Sequence, residues 1–102
     1  MNLTQASRGF SAAGSEPRLE VLLKLVRAGP GGLTVGELQQ GLDIPASTLA
    51  HHLRHLNDSG LIEQHKRGRQ VINRADFECI RQLAEYLLDE CCADEVNCNG
   101  PC

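Results

Sequence analysis

Leu19, Leu22, Leu23, Leu25 and Val26 form a broad apolar stripe, the mark of a helix buried along one side. Pro17 suits its first turn, where no backbone donor is lost, and the breaker run Gly29-Pro30-Gly31-Gly32 stops it. Thr34 with Glu37 three residues later has capping-box spacing and predicts a second, short helix whose inner face is Val35, Leu38 and Leu42. Asp43-Ile44-Pro45 then turns the chain, and Leu49, Leu53 and Leu56 fall at i, i+4 and i+7 of a third helix over 47–57, ended by Gly60. From there the spacing shortens: 61–66 and 69–74 read as two strands around an Arg67-Gly68 turn. Phe77, Ile80, Leu83, Ala84, Leu87 and Leu88 return to helical spacing and predict a long helix from 76 to about 91.

Two short helices joined by a tight turn and followed by a hairpin define the fold class: mainly α with a small β-hairpin wing, a winged helix-turn-helix. Residues 15–91 carry this domain. Residues 1–14, rich in Ser, Ala and Gly, read as an N-terminal arm or short helix, and 92–102 as a cysteine-bearing tail that Asn97, Asn99, Gly100 and Pro101 keep from continuing the helix. A chain of 102 residues builds only a modest core, and a final helix this apolar needs a partner surface, so a homodimer is expected.

Charge changes the picture more than composition does. The formal net charge is −3, but Arg54, Lys66, Arg67, Arg69 and Arg74 face only Asp58 and Glu63 within 46–74, whereas 75–102 is strongly acidic. The basic middle predicts double-stranded DNA as partner. With Leu49, Leu53 and Leu56 inward, steps of about 100° per residue put Ser47, His51 and Arg54 outward, flanked by Thr48 and His55. Ser47, Thr48 and His51 are placed to reach base edges or phosphates, Arg54 and His55 to meet backbone, and Lys66, Arg67 and Arg69 to neutralise phosphates from the wing. His52 is expected at the core edge as a packing residue. No apolar run is long enough for a membrane span and the N-terminus lacks signal-peptide character, so the chain reads as cytoplasmic with no membrane partner. No general base, nucleophile pair or cofactor loop stands out, which excludes an enzyme and an organic cofactor.

SEPRLEVLLKLV and GLTVGELQQGLDIPASTLAHHLRHLNDSGLIEQHKRGRQVINR resemble the ArsR/SmtB family of bacterial metal-responsive repressors over 15–91. The resemblance implies a homodimer formed through the first and last helices, with two recognition helices reading a palindromic operator. It also implies a sensor site, and here the chain departs from the best-known patterns: Glu37-Leu38-Gln39-Gln40 stands where an arsenic-binding cysteine pair would be, and no histidine lies between Asp76 and Glu90 for a zinc site. What remains is similar to arsenic-responsive members with two adjacent cysteines at the end of the last helix and a third six residues on, matched by Cys91, Cys92 and Cys98.

Thiolates select soft ions. Three of them suit pyramidal trivalent arsenic or antimony, and As(III) or Sb(III) is the expected inducer. Cys102 as a possible fourth would make the tetrahedral shell preferred by zinc or cadmium, so a Zn, Cd or Pb sensor stays open. So does a thiol redox switch pairing Cys91 or Cys92 with Cys98, although Asp89, Glu90, Asp94 and Glu95 discourage thiolate formation. Cys79, about 18 Å along the helix from Cys91 at 1.5 Å per residue, is expected to pack.

Overall fold

The computed structural model describes residues 1–95. Five helices and three strands follow in the order α1 (Leu3–Ala13), α2 (Glu16–Ala28), β1 (Leu33–Thr34), α3 (Val35–Gly41), α4 (Ala46–Asp58), β2 (Ile62–Arg67), β3 (Gln70–Ala75) and α5 (Phe77–Leu88). The fold is mainly helical with a small antiparallel sheet.

The N-terminal segment is a helix, and its start shows why. Asn2 accepts from the Gln5 amide at 2.8 Å while the Gln5 side chain accepts from the Asn2 amide at 2.9 Å, so two otherwise unsatisfied donors at the helix start are paired reciprocally. Thr34 and Glu37 make the same box at α3, at 3.2 and 2.9 Å. Asp76 caps α5 by accepting from the Cys79 amide at 3.0 Å.

Leu25 of α2, Leu38 of α3, and Leu49 and Leu56 of α4 are fully buried together with Leu61 and Ile62. Each such side chain contributes roughly 1.5–3 kcal/mol relative to exposure. The three helices therefore hold one another through a single aliphatic core, and α4 is fixed with its opposite face outward.

The sheet has strand order β1-β3-β2 and is antiparallel throughout. Ile62 pairs with Ala75 and Arg67 with Gln70, so the two-residue turn is Gly68-Arg69, one residue later than the sequence predicts. Gly68 takes φ of 63°, the left-handed conformation that a tight hairpin demands and that glycine supplies without strain. β1 has no counterpart in the sequence reading: two residues after the breaker run, Leu33 and Thr34, pair with Asn73 and Ile72. Gly32 makes that pairing possible. Its φ is 70°, and a Cβ there would lie 2.4 Å from the Asn73 carbonyl oxygen.

Asn73 is the one buried polar side chain in the described core. It accepts from Gln64 Nε2 at 2.8 Å and donates to the Leu33 carbonyl at 3.3 Å, tying β2, β3 and β1 together at the root of the wing. Its burial is satisfied.

α5 stops at Leu88, short of the expected end near Cys91. Residues 89–94 form turns, so Cys91 and Cys92 lie beyond the helix rather than in its last turn.

Candidate nucleic-acid interface and thiol site

Pro45 stands at the N-cap of α4, and the helix buries Leu49, Leu53 and Leu56. Ser47, Thr48, His51, Arg54 and His55 are all exposed. Ser47, Thr48 and His51 occupy the first two turns, where backbone amides and the positive end of the helix dipole add to their own donors. The His51 and His55 rings meet edge to face with centroids 4.6 Å apart. His55 also turns toward α1 and α2, lining a cavity with Arg8 and Arg18, so its surroundings extend beyond the face shared with Ser47 and Arg54.

His52 is half-buried, as expected for a packing residue, and its Nδ1 is buried without a hydrogen-bond partner. Burial, with Arg18, His51 and His55 adding repulsion, holds its pKa below the ordinary histidine value. The surroundings favour the neutral ring over the charged one.

On the wing, Lys66, Arg67 and Arg69 are exposed and enter none of the ion pairs among the described residues. The remaining basic groups of the hairpin are engaged: Arg74 bonds Glu63, and His65 Nε2 lies 3.0 Å from the same carboxylate oxygen. Hydrogen bonds from Arg74 and then His65 pull the Glu63 carboxyl down to about 2. The hairpin base is therefore internally neutralised while its tip keeps three cations for phosphates. Neither this division nor the Asn73 link is visible in the sequence, although an asparagine inside an alternating strand is a signal that could have been followed.

Cys92 has φ of 60°, rare for a residue other than glycine. That reversal brings adjacent side chains together, and the Cys91 and Cys92 Sγ atoms are 3.7 Å apart. Two thiolates on one tetrahedral ion, each at about 2.3 Å, would stand about 3.8 Å apart, so the pair fits a shared soft centre. Cys98 and Cys102 lie outside the described residues. Among the described residues no three His, Cys, Asp or Glu side chains form a metal-holding group. Cys79 is half-buried against the core, and burial, with Asp76, raises its thiol pKa. It is a packing residue.

Residues 14–65 match a helix-turn-helix domain family. A curated relative, a biofilm growth-associated repressor of Agrobacterium fabrum, is 33% identical over 67 residues. The match takes in 66% of this chain and 57% of that protein, so the chain spans little more than half of its curated relative. An ArsR family transcriptional regulator of known crystal structure superposes with a TM-score of 0.78 at 28% identity, over 96% of this chain and 98% of its own. A homodimeric winged helix-turn-helix domain from Mycobacterium bovis superposes with a TM-score of 0.69 at 22% identity, over 95% and 90%, and shares the fold.

Proposed function

Because the chain belongs to the helix-turn-helix domain family, we propose that it is a cytoplasmic repressor of the ArsR/SmtB winged helix-turn-helix type that binds operator DNA as a homodimer and is released when trivalent arsenic or antimony is captured by Cys91, Cys92 and Cys98. The observation that carries the DNA half is the division of α4 into a buried leucine face and an exposed face of Ser47, Thr48, His51 and Arg54, with Lys66, Arg67 and Arg69 on the wing beside it. Ser47 and His51 read bases, Arg54 and the wing cations grip phosphates, and His55 supports the backbone contact.

The dimer half rests on exposed apolar side chains at both ends of the chain: Leu3 and Phe10 of α1, and Leu87 and Leu88 of α5, the last two at 62% and 60% exposure. A second copy would cover them.

The inducer half rests on the closeness of the Cys91 and Cys92 sulfurs, 3.7 Å apart, which suits a shared soft centre, metalloid or tetrahedral metal alike. Thiolate capture just beyond α5 alters the segment that follows the dimerisation helix, and so the spacing of the two recognition helices. Couplings of about 1–3 kcal/mol, roughly 5- to 150-fold in affinity, are typical of such linkage. A Zn, Cd or Pb sensor using Cys102 as a fourth ligand is the nearest rival. The second reading is a thiol redox switch in which Cys91 or Cys92 pairs with Cys98 on oxidation, and oxidation rather than a metalloid triggers release.

The test uses a DNA site selected from a random-sequence library and fluorescence anisotropy under reducing conditions. Release by arsenite or antimonite supports the primary reading. Release by peroxide but not by arsenite moves the assignment to the redox switch. No binding to any DNA sequence would overturn both.

A further inference from the structure

Between α1, the start of α2 and the last turn of α4 lies an open groove of about 440 Å³ that the thiol pair does not use and that shares only His55 with the proposed DNA face. Its walls include Arg8 and Ser11 of α1, Arg18 of α2, His55 and Asp58 of α4, and Ser59 at the α4 C-cap. That volume lies within the roughly 300–1,000 Å³ of small-ligand pockets. We propose that this cavity binds a small organic anion, a carboxylate or phosphate that also carries a hydroxyl or ammonium donor.

Arg18 is ordered in advance for this task. Its Nε donates to the Ala12 carbonyl at 2.8 Å and Nη2 to the Ser11 carbonyl at 3.3 Å, which fixes the guanidinium across the C-terminal end of α1 and leaves Nη1 without a hydrogen bond among the described residues. A planar fork held in place loses little entropy when it takes a carboxylate or phosphate. Arg8 adds a second permanent positive charge and His55 an imidazole, against the single carboxylate of Asp58. Asp58 also sets the selectivity: an acceptor in the wall disfavours a bare polyanion such as a DNA strand and favours a ligand with its own donor. Ser59 already gives its proton to the Leu56 carbonyl at 2.9 Å, so its oxygen faces a ligand as an acceptor too.

The cavity is clear of the apolar edge expected to be covered by a second copy. At about 100° per residue, the lining residues Ser7, Ser11 and Arg8 stand roughly 60°, 100° and 160° around α1 from Phe10. An occupant would tie α1 and α2 to the last turn of α4.

The experiment titrates the isotopically labelled, reduced full chain with malate, O-phosphoserine and succinate at matched ionic strength, following amide shifts. Expected are saturable shifts at Arg8, Ser11 and Ser59 with malate and phosphoserine, and weaker binding of succinate, which lacks the donor. Arg8→Ala, a change at an exposed side chain, should weaken malate roughly tenfold or more. Asp58→Asn should erase the preference for malate over succinate. Cys91→Ser should leave all of this unchanged, which separates the result from the thiol reading. Shifts that never saturate, that sodium chloride reproduces, or that Arg8→Ala leaves intact would overturn the assignment.

Discussion

Gly9 of α1 lies directly against Leu83 of α5: a Cβ added to the glycine would stand 2.7 Å from Leu83 Cδ1 and 2.9 Å from Cδ2. The first and last helices therefore touch backbone to side chain within one chain, and the seam has no room for a larger residue. Gly9→Leu is expected to lower stability by about 1–3 kcal/mol, and Leu83→Ala in the same chain to return part of that loss. Denaturant midpoints of the two single variants and the double variant check it; purely additive losses would contradict the contact.

The same seam separates two leucines that share one stripe in the sequence. Leu83 is 6% exposed and Leu87 62%. Leu83→Asp should unfold the chain, since a buried unpaired charge costs several kcal/mol. Leu87→Asp should leave the monomer folded and abolish the dimer. Circular dichroism with sedimentation distinguishes them, and a folded dimer of the Leu87 variant would sink the proposed interface.

Arg67 and Arg69 act on phosphates in the proposed docking, so replacing both by Ala should weaken selected and random DNA about equally and flatten the salt dependence by up to about two units of slope. Ser47→Ala or His51→Ala should change sequence preference instead. The two signatures are read from binding isotherms over a salt series on two DNA sequences.

His52 gives a pH dependence with a definite sign. Its folded pKa lies below the ordinary histidine value of 6.5, so near that pH the unfolded chain takes up protons more readily than the folded one. The stability it contributes is present above 6.5 and is lost as pH falls through that value toward the lower folded pKa. His52→Leu should flatten the fall in denaturation midpoint between about pH 7.5 and 5.5. An unchanged slope would mean that the ring is not held neutral.

Cys91→Ser, Cys92→Ser and Cys98→Ser should each leave DNA binding by the inducer-free protein nearly intact and abolish or blunt release by arsenite. Cys79→Ser and Cys102→Ser should still respond. Loss of response in the Cys102 variant would favour the four-thiolate zinc or cadmium site, and normal release by all five would remove the cysteines from sensing.

The helices were legible in the sequence because their causes are local. Leu49, Leu53 and Leu56 declare a face by spacing alone, Thr34 and Glu37 declare a start, and Gly60 at φ of 84° an end. Once those three leucines are buried, the outward placement of Ser47, His51 and Arg54 follows from helical geometry. The wing cations were equally readable, since a hairpin tip exposes whatever it carries.

Tertiary structure decided what depends on residues far apart in the chain. β1 exists because Leu33 and Thr34 find a partner in β3, and two residues bear no periodicity of their own. Asn73 is buried because Gln64 and Leu33 satisfy it, Arg74 is removed from the charge available to DNA by Glu63, and Arg18 joins α1 to the cavity beside His55. The stripe on α5 could name Leu83 and Leu87 as apolar but not say which one the chain itself covers. That choice falls to Gly9, whose missing side chain lets α1 come close enough to bury Leu83 and leaves Leu87 exposed.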